Sequence, residues 1–107
     1  MPNNEICYLT AGEIQHKIRT HDLSATEVMQ AHLSQVELIN PTVNAIITLQ
    51  PERAMEDAKA ADEAIARGDD IGPLHGLPVA VKDLIPTKGI RTTFGSPIFK
   101  DNIPDQD

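Results

Sequence analysis

Apolar residues recur at helical spacing in three segments of the chain, and the first two begin with the same signal. Thr10 followed by Glu13 forms a capping box, and the helix that it starts is expected to end near residues 20–22. Ser24 followed by Glu27 forms a second capping box. Because proline cannot continue the backbone ladder of a helix, Asn40 and Pro41 are expected to stop the second helix.

The third helical segment begins at Pro51 and is expected to close at Gly68. Residues 43–49, VNAIITL, are dense in β-branched side chains and predict a short strand, and Val79–Lys82 predicts another. The order helix, helix, strand, helix, strand indicates an α/β protein in which helices pack on a mixed β-sheet. Since two strands make a poor sheet, we expect that sheet to be incomplete here.

Composition narrows the class of protein. A length of 107 residues suits one small domain, and 40% apolar with 3% aromatic residues predicts a core of aliphatic side chains. The net charge of −7 disfavours direct contact with nucleic acid or with an anionic membrane surface. A single cysteine, no signal peptide and no apolar run of membrane-spanning length favour a cytoplasmic location.

Three residues with reactive side chains are given structural interpretations. Cys7 lies near the amino terminus and is interpreted as a structural or incidental thiol. His32 falls within the apolar stripe of the second helix with no second ligand at matching spacing, which favours a packed, hydrogen-bonded histidine. His75 lies in a loop, and we assign it no chemistry.

Lys82 raises a different question, because it ends a β-branched run in which charge is costly. In a strand, Val79 and Val81 face one layer while Ala80 and Lys82 face the other. The simple interpretation is that the lysine extends from the strand end to water. If it is buried, burial favours the neutral amine, which can accept a proton and act as a general base.

A resemblance favours the second interpretation. The stretch GPLHGLPVAVKDLIPTKGIRTTFGS, residues 72–96, resembles the N-terminal part of the amidase signature family, with its G-P-L-x-G-x-P segment, its K-D pair and its T-T-x-G-S turn. Upstream, SATEVMQAHLSQVELINPTVNAI and ERAMEDAKAADEAIARG resemble the helices of the same family, so that the resemblance covers roughly residues 9–104. It implies the N-terminal part of an amidase-signature fold.

The resemblance also implies a mechanism. Family members cleave carboxamide C–N bonds through a Ser-cisSer-Lys triad, in which the lysine of the K-D pair, here Lys82, is the base and a bridging serine on a cis peptide relays protons to the nucleophilic serine. These two serines belong to a Gly/Ser-rich signature that is not among these residues, since the serines present are Ser24, Ser34 and Ser96. We therefore expect an amidase fragment that is inactive by itself, with a small-molecule amide as the substrate of the intact protein.

Supporting roles near the lysine are expected for Asp83, Thr93, Gly95 and Ser96, which belong to the K-D pair and to the T-T-x-G-S turn. Asp83 is equally interpretable as a turn residue that ends the strand. We expect no cofactor and no metal site. Residues 1–107 are expected to form one partial amidase domain, made of N-terminal helices with one strand at 9–68 and the lysine-bearing strand with loops at 72–104.

Alternatives to a simple amidase stay open at this point. Within the family, the chain can belong to the A subunit of a tRNA-dependent amidotransferase, which releases ammonia from glutamine with the same triad. Oligomerisation is possible for either protein. Outside the family, the sequence also suits a non-catalytic helical interaction module, or an enzyme that forms a Schiff base on Lys82.

Overall fold

The structure, a computed structural model, describes residues 4–107 and is built from four α-helices followed by a long irregular segment. The helices are α1 (Asn4–Cys7), α2 (Ala11–Arg19), α3 (Ala25–Val43) and α4 (Pro51–Ala66), and a short 3₁₀ helix spans Pro97–Phe99. Within the described part of the chain, no helix is long and apolar enough to cross a membrane.

The starts of α2 and α3 confirm the two predicted capping boxes. At α2, the Thr10 N–H donates to Glu13 Oε2 at 2.7 Å, and the Glu13 N–H donates to Thr10 Oγ1 at 3.1 Å. The bond from the Thr10 backbone is the main reason why the pKa of Glu13 lies below its ordinary value. At α3, the Ser24 N–H donates to Glu27 Oε2 at 2.8 Å, and the Glu27 N–H donates to Ser24 Oγ at 3.0 Å. Both boxes satisfy backbone N–H groups that a helix start leaves without partners.

The end of α3 differs from the prediction, because the helix continues through Pro41 to Val43. Proline removes one hydrogen bond, but the ladder closes beyond it: the Asn44 N–H donates to Asn40 O at 2.7 Å, and Asn44 has a left-handed φ of 50°. The Asn40 side chain then fixes the exit by bonding both backbone groups of Ile46 at 2.9 Å. The predicted stop at residues 40–41 is therefore wrong, because the helix ends at Val43.

The core lies between the first three helices. It consists of the buried side chains Ile6, Ile14, Ile18, Val28 and Ala31, against which Leu9, Leu23, Ile65 and Leu77 pack. α3 contacts both α1 and α4.

A carboxylate joins α4 to the start of α3. Asp62 accepts hydrogen bonds from the Ala25 N–H at 2.7 Å, from the Thr26 N–H at 3.0 Å and from the Thr26 hydroxyl at 2.6 Å. A negative group at the positive end of a helix is favourable, so that Asp62 holds the start of α3 against α4.

The expected α/β fold with a mixed β-sheet is wrong for the described residues, which are helical and contain no sheet. In the segment predicted as a strand at 43–49, Val43 ends α3, and the residues after it form the link to α4. Val79–Lys82 is irregular in the structure, and none of its backbone N–H groups donates to a carbonyl within residues 4–107. A β-branched run becomes a strand only when a neighbour completes its ladder. The β-structure of the described residues is limited to an isolated antiparallel bridge between Thr87 and Ile90.

Candidate functional site

The segment that leads to Lys82 is held against the helices by a glycine. Gly76 has a φ of +83°, a conformation that glycine adopts without strain. A Cβ at this position would lie 3.2 Å from Ile18 Cδ1 and 3.3 Å from Ala25 Cβ. The backbone therefore touches the buried faces of α2 and α3 directly, and the following Leu77 packs on the core.

Polar contacts reinforce this docking. The His75 ring bonds the Ala61 carbonyl of α4 at 2.9 Å. From α2, Gln15 Nε2 donates to Pro73 O at 2.8 Å, and Arg19 donates to Gly72 O at 3.1 Å. Since His75 is engaged with a helix, these contacts give it a structural role.

Residues 79–82, which follow Pro78, are all exposed, and they include Lys82. Its amine forms neither an ion pair nor a hydrogen bond with residues 4–107, while its carbonyl accepts from the Ile85 N–H at 3.0 Å. Val79 and Val81 are 82% and 47% exposed. The lysine is therefore open to solvent in this part of the protein, and its burial in the intact protein stays a prediction.

Asp83 does not pair with its neighbour Lys82 but binds Thr93, ten residues later. The carboxylate accepts from the Thr93 N–H at 2.7 Å and from the Thr93 hydroxyl. The bond from the Thr93 side chain, followed by the bond from its backbone, holds the pKa of Asp83 below its ordinary value. Asp83 is thus ionised at neutral pH and connects the K-D pair to the T-T-x-G-S turn.

The turn that receives this carboxylate is built on two buried threonines. Thr92 and Thr93 are only 1% and 5% exposed, although both are polar. The Thr92 N–H donates to Asn102 O, and the Asn102 side chain donates to Thr92 O, both at 2.9 Å. The Thr92 hydroxyl also bonds the hydroxyl of Thr87 at 3.1 Å. The two bonds between Thr92 and Asn102 close the loop, and the buried polar groups of both threonines have hydrogen-bond partners.

Gly95 and Ser96 shape the turn that Thr93 begins. Gly95 has a φ of +67°, and its N–H donates to the Thr93 hydroxyl at 3.4 Å. The Ser96 N–H donates to Thr93 O at 2.9 Å, and its hydroxyl accepts from the Ile98 N–H at 3.3 Å as the cap of the 3₁₀ helix. Of the predicted supporting residues, the structure joins Asp83, Thr93 and Gly95 in one network, to which Ser96 is attached through the backbone.

The sequence interpretation missed Asn102, whose side chain closes the loop from its far end. Its signal in the sequence is weak, because an isolated asparagine in a polar tail is typical of any turn. The sequence indicates Thr92 only as part of the turn, since a pattern does not tell which of two adjacent threonines is buried.

The other reactive side chains have structural surroundings. The Cys7 thiol contacts Ala31 O at 3.5 Å, and burial raises the pKa of the thiol. His32 Nδ1 bonds Val28 O at 2.8 Å within its own helix, as predicted. Within residues 4–107, no three His, Cys, Asp or Glu side chains come together as a metal site would require.

Comparison with known proteins gives a family for this arrangement. The family model described as Amidase matches residues 27–107, which include the K-D pair and the whole threonine turn.

Three curated relatives carry the name of the A subunit of glutamyl-tRNA(Gln) amidotransferase. The chain is 45% identical to those of Carboxydothermus hydrogenoformans and Geobacter metallireducens over 103 residues, and 42% identical to that of Streptomyces coelicolor over 104 residues. The alignments cover 96–97% of this chain but 21% of each relative, so that the chain spans about a fifth of their length.

A solved structure agrees with these matches. It belongs to work on an unexpected vestigial protein complex that reveals the evolutionary origins of an s-triazine catabolic enzyme. It superposes with a TM-score of 0.86 at 33% identity, over 92% of this chain and 22% of that chain. An inhibitor-bound form of the same complex matches equally well.

Proposed function

The chain belongs to the amidase family, and on that premise we propose that Lys82 is the general base of an enzyme that cleaves carboxamide C–N bonds. The observation that carries the proposal is the family match over residues 27–107, which includes the lysine of the K-D pair together with the turn to which its aspartate is bound. The helical resemblance upstream supports the same assignment, since identity with the relatives extends over 103 residues.

The proposed step is a relay of one proton. As the nucleophilic serine oxygen attacks the amide carbon, its proton passes to the bridging serine, whose own proton passes to the neutral amine of Lys82. When the C–N bond breaks, the relay runs in reverse and the proton leaves on the departing amine, so that an acyl-enzyme remains for water to hydrolyse.

The two serines of this relay are supplied by chain other than residues 1–107. Ser24 and Ser96 use their hydroxyls as helix caps, and the Ser34 hydroxyl accepts from Gln30 Nε2 at 3.3 Å. Additional chain also has to cover Lys82, because its amine is exposed here. In the relatives, about four-fifths of the polypeptide lies outside the matched 21%, which is ample to provide both.

Among amidase-family activities, the amidotransferase role is favoured by the names of the relatives. We propose that the intact protein is an A subunit that releases ammonia from the glutamine amide and works with further subunits in the cytoplasm. The net charge of −7 is consistent with other subunits holding the tRNA. The family match disfavours the non-catalytic interaction module.

The test is a chimera in which this chain replaces the matching fifth of the A subunit from Carboxydothermus hydrogenoformans, assembled with the other subunits of that enzyme. We expect glutamine-dependent ammonia release, and a loss of at least about 100-fold in turnover for Lys82→Ala, the usual contribution of a general base. Lys88→Ala is the matched control, because Lys88 is an exposed lysine in the same loop region. Normal turnover in the Lys82→Ala chimera would refute the assignment.

A further inference from the structure

We propose that Asp83 and Thr93 form a positioning pair that fixes the backbone carrying Lys82, so that substitutions in the pair lower turnover without touching the amine. The inference rests on the proposed role of Lys82 and extends it to residues that take no part in proton transfer. The observation behind it is that the Asp83 carboxylate turns away from the adjacent lysine and takes both donors of one buried residue.

Lys82 has little else to hold it. Its side chain makes no polar contact with the described residues, and the N–H groups of Val79, Ala80, Val81 and Lys82 have no carbonyl partners there. The position of the amine therefore depends on where the backbone is anchored before and after it. The anchor before it is the contact of Gly76 with α2 and α3.

Asp83 is the anchor after it, one residue from the lysine. A carboxylate that accepts from both the N–H and the hydroxyl of a single threonine fixes direction as well as distance. The Lys82 carbonyl is held in the same turn by the Ile85 N–H at 3.0 Å. Thus the turn begins at the lysine and is locked at the residue that follows it.

An anchor is useful only if its other end is immobile. Thr93 is 5% exposed, and its neighbour Thr92 is bonded through both backbone groups to Asn102. The Thr93 carbonyl accepts from the Ser96 N–H at 2.9 Å. Asp83 is therefore attached to the most buried part of the loop, and loss of the pair would release the turn next to the base.

The chemistry of the pair sets the choice of variants. Thr93→Val keeps the shape and the N–H but removes the hydroxyl, whereas Thr93→Ser keeps both donors. Asp83→Asn leaves one oxygen acceptor and puts an NH₂ donor where the second acceptor stood. Thr87→Val is the matched control, since it removes a threonine hydroxyl from the same loop that bonds Thr92 and not Asp83.

The first experiment uses the 107-residue chain and measures the backbone order parameter of Lys82 by ¹⁵N relaxation. We expect an order parameter of about 0.85, typical of rigid backbone, in the parent, in Thr93→Ser and in Thr87→Val. In Thr93→Val and Asp83→Asn we expect an order parameter below about 0.6, typical of flexible backbone. Equal order parameters in all five proteins would overturn the inference.

The second experiment measures kcat and KM for glutamine in the assembled chimera described above. Because a displacement of about 1 Å can cost on the order of 100-fold, we expect kcat to fall roughly 10- to 100-fold in Thr93→Val and Asp83→Asn with KM little changed, and Thr93→Ser to restore it. A fall in Thr87→Val as large as that in Thr93→Val would mean a general loss of loop structure and would overturn the pair.

The two experiments distinguish a wrong role for Lys82 from a wrong role for the Asp83–Thr93 pair. If the Lys82→Ala chimera turns over normally, the general-base assignment is lost, whereas the order parameters still decide whether the pair fixes the backbone of Lys82. If Lys82→Ala is inactive and Thr93→Val is fully active, the base stands and the positioning pair is refuted.

Discussion

Replacing Gly76 by alanine tests how the lysine-bearing segment is attached to the helices. Two penalties act at this position. A side chain at a φ of +83° is in the left-handed region, which costs roughly 1–2 kcal/mol. The new Cβ also comes within 3.2 Å of Ile18 Cδ1 and 3.3 Å of Ala25 Cβ. Both neighbours are buried and cannot move aside freely, so that overpacking adds about 1–3 kcal/mol.

Gly68→Ala separates the two penalties. Gly68 has a similar φ of +77°, but nothing lies within 4 Å of the position of its Cβ. The backbone penalty is therefore shared by the two variants, as is the gain from a less flexible unfolded chain. The difference between them, about 1–3 kcal/mol in the free energy of unfolding, reports the contact of residue 76 with α2 and α3.

The assay is urea unfolding of the 107-residue chain followed by far-ultraviolet circular dichroism, which reports the helices. We expect Gly76→Ala to be less stable than Gly68→Ala, and its thermal midpoint to be lower by at least about 4 °C. Equal stabilities in the two variants would refute the claim that the segment before Lys82 is pressed against the buried faces of the helices.

Three further predictions concern other parts of the chain. Ser24→Ala removes a helix cap and should lower the free energy of unfolding by about 1 kcal/mol in the same urea assay; an unchanged value would contradict the importance of the box. Lys82→Ala should change that free energy by less than about 0.5 kcal/mol, because the side chain is exposed; a larger loss would mean that the side chain contributes to the fold. The pKa of Asp83 is lowered in the folded protein. Its contribution to stability is therefore present at pH values above the ordinary aspartate pKa of about 3.9, and it is lost as the pH falls through the lower pKa of the folded state. A carboxyl-carbon NMR titration of Asp83 should therefore show a low midpoint that rises in Thr93→Val; an unmoved midpoint would contradict the hydrogen bond as its cause.

The sequence predicted the helices well where the signal is local. The capping boxes at Thr10 and Ser24 lie within four residues of chain, so that their spacing alone determines which backbone N–H groups are satisfied. Pro51 at the start of α4 and Gly68 after its end follow the same logic. The prediction at Pro41 is wrong because the cost of a proline in the last turn of a helix depends on the bonds around it, here those of Asn40.

The strands could not be predicted in the same way, because a strand depends on a partner that can lie anywhere in the chain. Val79–Lys82 has strand composition, but no segment of residues 4–107 completes its ladder. The Asp83–Thr93 pair joins residues ten positions apart and depends on a loop whose shape is set by the buried threonines. The family resemblance indicated which residues to consider, and the structure shows how they are connected.

The most direct test of the central claim is chemical rescue of the Lys82→Ala chimera with methylamine. If Lys82 is the general base, a small free amine can occupy the space left by the side chain and accept the proton in its place. We predict that glutamate formation from glutamine rises with methylamine concentration in Lys82→Ala and does not change in Lys88→Ala. Glutamate formation by Lys82→Ala at the rate of the Lys88→Ala control in the absence of methylamine would contradict the account.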